Sequence, residues 1–266
     1  MRSSSQKPVP ILTFHKVDPS FEWGVTRIAP SGFRKILQFL KNEGYESISL
    51  QTLRDPTAIL PPKPVVFTFD DSYESVYTGA YPLMQEYDFF GTVFVITGYA
   101  GRMNEWDVNL GWKKFRHLSW DQIRLMKKGG FEIGSHTVHH PDLTRIDSRL
   151  LYFELNRSKK EIEDKIGEEA LFISFPFGRY NTRVIDASKS CGYKNGCGFW
   201  LSKQEKKLKE TFVLERKAYY LFDGLWNLKA KLEKNRWTFF ENMKLRIVNF
   251  CSHGSSLIKP AEIKFK

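Results

Sequence analysis

Short apolar runs alternate along this chain with longer stretches in which apolar positions recur every third or fourth residue. Residues 9–14, 47–50, 64–69, 91–96, 131–134, 171–175 and 193–199 are the short runs and read as strands, 64–69 being β-branched and aromatic. Between them, residues 33–42, 77–87, 120–128, 150–166 and 182–190 read as helices, with glycine stops at Gly44 and at Gly129-Gly130. Repeated strand-then-helix units imply a mostly parallel sheet, and this many of them predict an α/β fold whose sheet closes, or nearly closes, into a barrel. In such barrels the reacting groups sit where strands end and loops begin. Four candidate motifs fall there: His15, Asp70-Asp71, Ser135-His136 and Pro176-Phe177-Gly178.

Composition narrows this picture. With 266 residues, 41% of them hydrophobic and 15% aromatic, the chain has material for one catalytic domain with small additions, which argues against disorder. A net charge of +11 would favour an anionic glycan, a membrane surface or nucleic acid without choosing among them. The basic residues are spread along the chain, as on an ordinary solvated surface, and no nucleic-acid motif accompanies them, so no nucleic-acid partner is expected. Cys191, Cys197 and Cys251 make neither a CxxC pair nor a disulfide framework. No apolar run reaches the roughly 18 residues of a membrane span, and residues 1–10 do not look like a secretory signal. If this is the whole chain, it is expected in the cytoplasm or peripherally attached to a membrane.

Two carboxylates side by side at the end of an apolar strand call for a function, because neighbouring strand positions point to opposite faces and one must enter the site. The bland alternative has one of them capping the next helix at Asp71-Ser72-Tyr73-Glu74. The pair is joined by Ser135-His136-Thr137-Val138-His139-His140-Pro141, where His136 and His140 stand four positions apart. On a helical turn that spacing brings two imidazoles to one face, within reach of one ion. Imidazoles with a carboxylate suit zinc, and also cobalt, nickel or manganese.

Thr68-Phe69-Asp70-Asp71 and the run from Ser135 through Pro141-Asp142-Leu143-Thr144 resemble the first two signature motifs of the polysaccharide deacetylase family. These are carbohydrate esterases that include chitin and peptidoglycan deacetylases. Leu12-Thr13-Phe14-His15-Lys16-Val17, Asn104-Glu105-Trp106-Asp107, Leu118-Ser119-Trp120 and Phe175-Pro176-Phe177-Gly178-Arg179-Tyr180-Asn181 resemble the branch that acts on surface polysaccharides such as poly-N-acetylglucosamine. The resemblance covers roughly residues 9–232. It implies a distorted (β/α) barrel of about seven parallel strands, a catalytic domain over 1–232, and a basic tail over 233–266 that is partly packed or loose. It further implies Asp70 as general base, Asp71, His136 and His140 as ligands of a divalent metal, zinc before the others, and Pro176, Phe177 and Gly178 as the lining of an acetyl pocket. His139, between the two ligands, is expected to point away from the metal. The substrate would be an N-acetylated glycan.

Two departures from the family pattern stand out. The third motif normally opens with an arginine that orients the base, and Ser174 stands there instead. Arg216 is the candidate replacement, since a guanidinium can grip a carboxylate through two hydrogen bonds; the competing reading is a surface arginine in a basic stretch. The motif that supplies a general acid in many members has no good copy: residues 247–253, ending at His253, imitate it weakly. His15, closing the first strand, is the stronger candidate for contacting substrate or protonating the leaving amine. Three rival readings remain: a hydrolase of some other non-peptide amide, a noncatalytic glycan-binding module carrying Trp106, Trp112 and Trp120, and a nucleic-acid binder suggested by charge alone.

Overall fold

The computed structural model describes residues 8–20, 25–104, 114–199 and 212–233. Its strands are β1 (Ile11–Phe14), β2 (Lys16–Val17), β3 (Arg27–Ile28), β4 (Glu46–Ser47), β5 (Pro64–Phe69), β6 (Thr92–Val95), β7 (Glu132–Ser135), β8 (Phe172–Ser174), β9 (Asn195–Gly198), β10 (Val213–Glu215) and β11 (Lys217–Ala218). Its α-helices are α1 (Pro30–Asn42), α2 (Leu50–Arg54), α3 (Tyr81–Glu86), α4 (Trp120–Lys128), α5 (Ser148–Ile166), α6 (Thr182–Ser190) and α7 (Leu225–Leu232). The main sheet runs β10-β9-β8-β7-β6-β5-β1-β11 with every pairing parallel, and β4 adds to the start of β5. This is the nearly closed, helix-flanked barrel the alternating pattern predicts.

The strand count is eight along the sheet rather than about seven, for a local reason. β10 and β11 are successive pieces of one stretch, separated only by Arg216; the first pairs with β9 and the second with β1. The sheet is therefore joined end to end through a single residue. Neither piece reads as a strand in the sequence, because Glu215-Arg216-Lys217 interrupts the apolar pattern.

Side-chain alternation sorts the core into layers. Ile11, Val66, Phe94, Phe172 and Cys197, from five different strands, form one buried cluster, as they can only if they fill the lumen. The alternate positions Leu12, Phe14, Val65, Phe67, Phe69 and Val93 face the other way and pack beneath α1, α3 and α4. Continuing the lumen register upward leads from Ile11 to Thr13 and from Val66 to Thr68, whose hydroxyls meet at 3.0 Å, and then to Asp70, Ser174 and Arg216. Period-two geometry thus delivers the candidate residues to the mouth of the barrel.

Helix boundaries follow local chemistry. Ser119 and Gln122 form a capping box at α4, Asn181 caps α6, Asp147 caps α5, and Gly167 closes α5 at φ 77°. Three elements differ from the pattern reading. Residues 47–50 are not one strand: Ser49 accepts from Thr52 N and starts α2, while Glu132 takes the Leu50 and Gln51 amides. Residues 77–87 begin as a π-turn over Val76–Ala80 before α3. Leu225–Leu232, at the end of the stretch that carries the resemblance, form an α-helix, α7, anchored by fully buried Leu228, where the charges hide the period. Residues 203–210, 234–266, Trp106, Trp112, Cys251 and His253 lie outside the described residues.

Candidate active site

Asp70 and Asp71 follow β5 directly, and both are buried. Asp70 continues the lumen register. Asp71 would point outward if the strand simply went on, but its φ of 64° and the 49° of Ser72 turn the chain, which settles how two adjacent carboxylates serve one site. Non-glycine residues rarely adopt these values, and five of the six that do among the described residues collect around the site: Thr137, His140 and Phe177 join them at 68°, 60° and 58°. The 136–140 segment is accordingly a loop of bends rather than the helical turn that the four-residue histidine spacing suggested. Left-handed residues at its two ends fold it tightly enough to bring the two rings together, with centroids 4.7 Å apart.

Asp71 Oδ1 lies 3.3 Å from His136 Nε2 and 3.5 Å from His140 Nε2. Among the described residues these three make the one group of histidine, cysteine or acidic side chains able to hold a metal ion, with all donor atoms within 4.8 Å of one another. The donor chemistry fits a divalent cation. His136 Nδ1 is 2.7 Å from the Ser174 carbonyl, so Nδ1 carries a ring proton and Nε2, which faces Asp71, is the atom available to a cation. Burial, reinforced by His136, pushes His140 down to about 3, which keeps the imidazole neutral. Burial also works against a charged His136, but Asp70 and Asp71 outweigh it and raise this imidazole, so the pocket favours positive charge.

Arg216 resolves the departure at Ser174. Its guanidinium donates Nη1 to Asp70 Oδ1 and Nη2 to Asp70 Oδ2, both at 2.8 Å, and Nη2 also donates to Ser174 Oγ at 2.9 Å. Phe94 and Phe199 stack against it at 5.5 and 5.1 Å. The small serine leaves the room that the guanidinium enters from the β10–β11 junction, so the surface-arginine alternative is excluded: Arg216 is 2% exposed. Burial pushes the Asp70 carboxyl up, yet Arg216 outweighs it and holds the group below the usual carboxylate range. Asp71, likewise opposed by burial, is held well below that range through His136 and the other imidazoles.

His15 is half-buried at the end of β1, near enough to feel the charges of Asp71, Asp70, Arg216 and His136, and burial lowers its pKa. Its buried Nδ1 has no hydrogen-bond partner among the described residues. The Pro176–Gly178 turn places the Phe177 ring 4.8 Å from that of His140, and Arg179, paired with Asp142 at 2.6 Å, lies over Phe177. Gly178 is required here, since at φ 67° a Cβ would come within 2.2 Å of the Phe199 ring.

Pattern reading missed two residues. His117 is fully buried, brings Nδ1 to 2.6 Å from the Asp71 carbonyl and stacks on Tyr73, which braces the turn after the carboxylates. It stands one residue before the Leu118-Ser119-Trp120 motif, and nothing in its immediate sequence marks it. Glu154 interrupts the buried stripe Leu151, Leu155, Ser158, Ile162 of α5, and a charge in an apolar stripe is the signal that could have exposed it. His139 Nδ1 bonds to Glu154 at 2.6 Å and its ring stacks on Phe153, so it is not among the three donors.

The loop also depends on a close approach. Gly98 N donates to the Val138 carbonyl at 3.0 Å, and a Cβ on Gly98 would meet that oxygen at 2.6 Å. Gly98→Ala is therefore expected to destabilise the fold by about 1–3 kcal/mol, the range for overpacking. Thermal unfolding measures this, and an unchanged midpoint would show that the loop moves aside freely.

Comparison with known proteins fits this geometry. The polysaccharide deacetylase sequence model matches residues 58–196, more than half of the chain. A putative polysaccharide deacetylase of Bacillus subtilis, YxkH, is 28% identical over 199 residues, which cover 72% of this chain and 65% of that protein. The poly-beta-1,6-N-acetyl-D-glucosamine N-deacetylase of Staphylococcus aureus is 25% identical over 180 residues, covering 64% of this chain and 60% of the relative. The chain thus spans less than two thirds of the length of each. Among solved structures, the Streptococcus pyogenes deacetylase PplD in complex with acetate superposes with a TM-score of 0.72 at 26% identity, covering 85% of this chain and 98% of PplD. IcaB from Ammonifex degensii shares the fold at a TM-score of 0.67 and 23% identity, over 84% and 96% of the two chains. Fold, motifs and sequence model agree, and the chain belongs to the polysaccharide deacetylase family.

Proposed function

We propose that this protein is a metal-dependent hydrolase that removes N-acetyl groups from an amino-sugar-containing glycan. One observation carries the reading: a carboxylate clamped by Arg216 stands beside, but outside, a buried trio of one carboxylate and two imidazoles. A base next to a ligand cluster is what hydrolysis of an amide needs. Family membership and the poly-N-acetylglucosamine deacetylases among the relatives support the N-acetyl sugar as substrate.

Asp71, His136 and His140 would hold the ion. A divalent cation, zinc or else cobalt, nickel or manganese, would polarise the amide carbonyl and bring the pKa of a water from about 16 towards roughly 7. Asp70 accepts that water's proton as the new C–O bond forms, and Arg216 keeps both carboxylate oxygens in place while it does so. The Phe177 N–H is assigned to the developing oxyanion, a contact typically worth on the order of 100-fold in rate. When the C–N bond breaks, the nitrogen takes a proton and leaves as the free amine. His15, whose Nδ1 has no partner among the described residues and lies near the charged groups, is assigned to relay to that nitrogen the proton that Asp70 took from the water. The products are acetate and an amino sugar.

A noncatalytic glycan-binding module would have no use for a clamped base, and Asp70 is clamped. Acetate release from N-acetylated glycans, with and without chelator, tests the proposal. Release that stops on chelation and returns with added zinc, cobalt, nickel or manganese is the expected result. No release from any glycan by metal-loaded protein would sink it.

A further inference from the structure

The metal-binding loop is held from outside the site by a single carboxylate. Glu154, fully buried in the middle of α5, accepts the backbone N–H of Val138 at 2.8 Å and of His139 at 2.9 Å through Oε2, while Oε1 lies 2.6 Å from His139 Nδ1. One helical turn further along, Ser158 Oγ meets Ser135 Oγ at 2.8 Å, and Ser135 Oγ in turn accepts from Thr137 N at 3.1 Å. Residues 135–139 are thus fastened to α5 on both sides of His136. The segment needs fastening, because Thr137 and His140 both hold left-handed backbone that costs on the order of 1 kcal/mol or more unless the surroundings impose it.

We propose that Glu154 is the positioning residue of the metal site: by capping the Val138 and His139 amides it sets the loop so that His140 meets Asp71 and His136. The inference rests on the metal reading above and adds what fixes its geometry. A buried carboxylate is expensive, and three charge-assisted or backbone donors are what make it tenable here. Leucine at this point would complete the apolar stripe of α5, so packing alone does not call for an acid. Glu154 bonds to none of the three donor side chains and acts through the backbone it holds.

Removing such outer support typically costs about 10- to 100-fold in metal affinity. Glu154→Gln keeps the shape but offers an NH2 group where one of the donors now points. Glu154→Asp keeps the charge but falls a methylene short of both amides. The apo forms of the wild type, both variants and His139→Ala are titrated with zinc against a chromophoric chelator, with near-ultraviolet circular dichroism reporting the fold. Glu154→Gln should be folded and bind zinc about 10- to 100-fold more weakly, with Glu154→Asp between it and wild type. His139→Ala, which leaves both backbone amides capped, should change affinity by less than about threefold. Saturating zinc should restore turnover in Glu154→Gln with KM for glycan unchanged, which a general loss of structure would not allow. A folded Glu154 variant with wild-type zinc affinity overturns the inference while leaving the metal site standing. Failure of both variants to fold also overturns it, by making Glu154 a determinant of the fold rather than of the loop. A wild-type protein that binds no zinc, cobalt, nickel or manganese removes the underlying reading instead.

Discussion

Asp70→Asn should keep its metal and lose at least roughly 100-fold in hydrolysis, the ordinary scale of general-base catalysis. The substitution preserves size and leaves an oxygen for Arg216, but an amide cannot take up the water's proton. Asp71→Asn should behave differently, although the two residues are neighbours. Its Oδ1 faces both imidazole Nε2 atoms, and a neutral amide is a weaker ligand for a divalent cation than a carboxylate. The loss should therefore appear in metal affinity and be partly relieved by excess metal, whereas Asp70→Asn should not be rescued. Metal content by elemental analysis, alongside acetate release over a range of metal concentrations, separates the two. Equal loss of metal in both variants, or rescue of Asp70→Asn, would reverse the assigned roles.

Arg216→Met should cost stability as well as turnover. With the guanidinium gone, a buried carboxylate is left unpaired, a change typically costing about 3–5 kcal/mol. The effect has a predictable pH dependence. In the wild type the folded Asp70 carboxyl lies below its unfolded value of about 3.9, so the pair's contribution is present above that pH and is lost as pH falls through the folded value. In the variant burial is opposed only by His136 and His15, so the folded value rises above that of the wild type, and the penalty is largest at neutral pH and fades as the carboxyl takes up a proton on acidification. Denaturant unfolding of both proteins at pH 7 and near pH 5 should show the gap narrowing towards acid. Turnover should fall more than substrate affinity, since orienting a base matters chiefly in the transition state. A gap independent of pH, or wild-type turnover, would mean that something other than Arg216 governs Asp70.

The barrel and the position of most candidate residues were legible because they depend on local patterns. The β-branched and aromatic run Pro64–Phe69 is a strand, and the helical period of Trp120–Lys128 and Thr182–Ser190 marks helices, all three with the boundaries the pattern predicts. What stayed hidden depends on contacts between distant positions. Nothing near Glu154 in sequence says that its partners are Val138 and His139, and nothing near His117 points to the carbonyl of Asp71. The Arg216 pairing was inferable only as compensation for the serine at 174. Conformation was the least visible level: the spacing of His136 and His140 suggested a helical turn, while left-handed Thr137 and His140 make a loop that reaches the same end.

The single-residue join between β10 and β11 has a consequence for how the protein is made. Arg216 N donates to the Gly198 carbonyl at 3.2 Å on one side of the join, while Lys217 pairs with Leu12 on the other. A chain emerging from the ribosome releases Asp71, His136 and His140 well before the arginine that grips Asp70. Until residue 216 is added and the last stretch docks against the first, Asp70 has no cation to offset its burial and the ring stays open. A chain that ends before residue 216 should therefore lack both the closed ring and, on the proposed function, a working base.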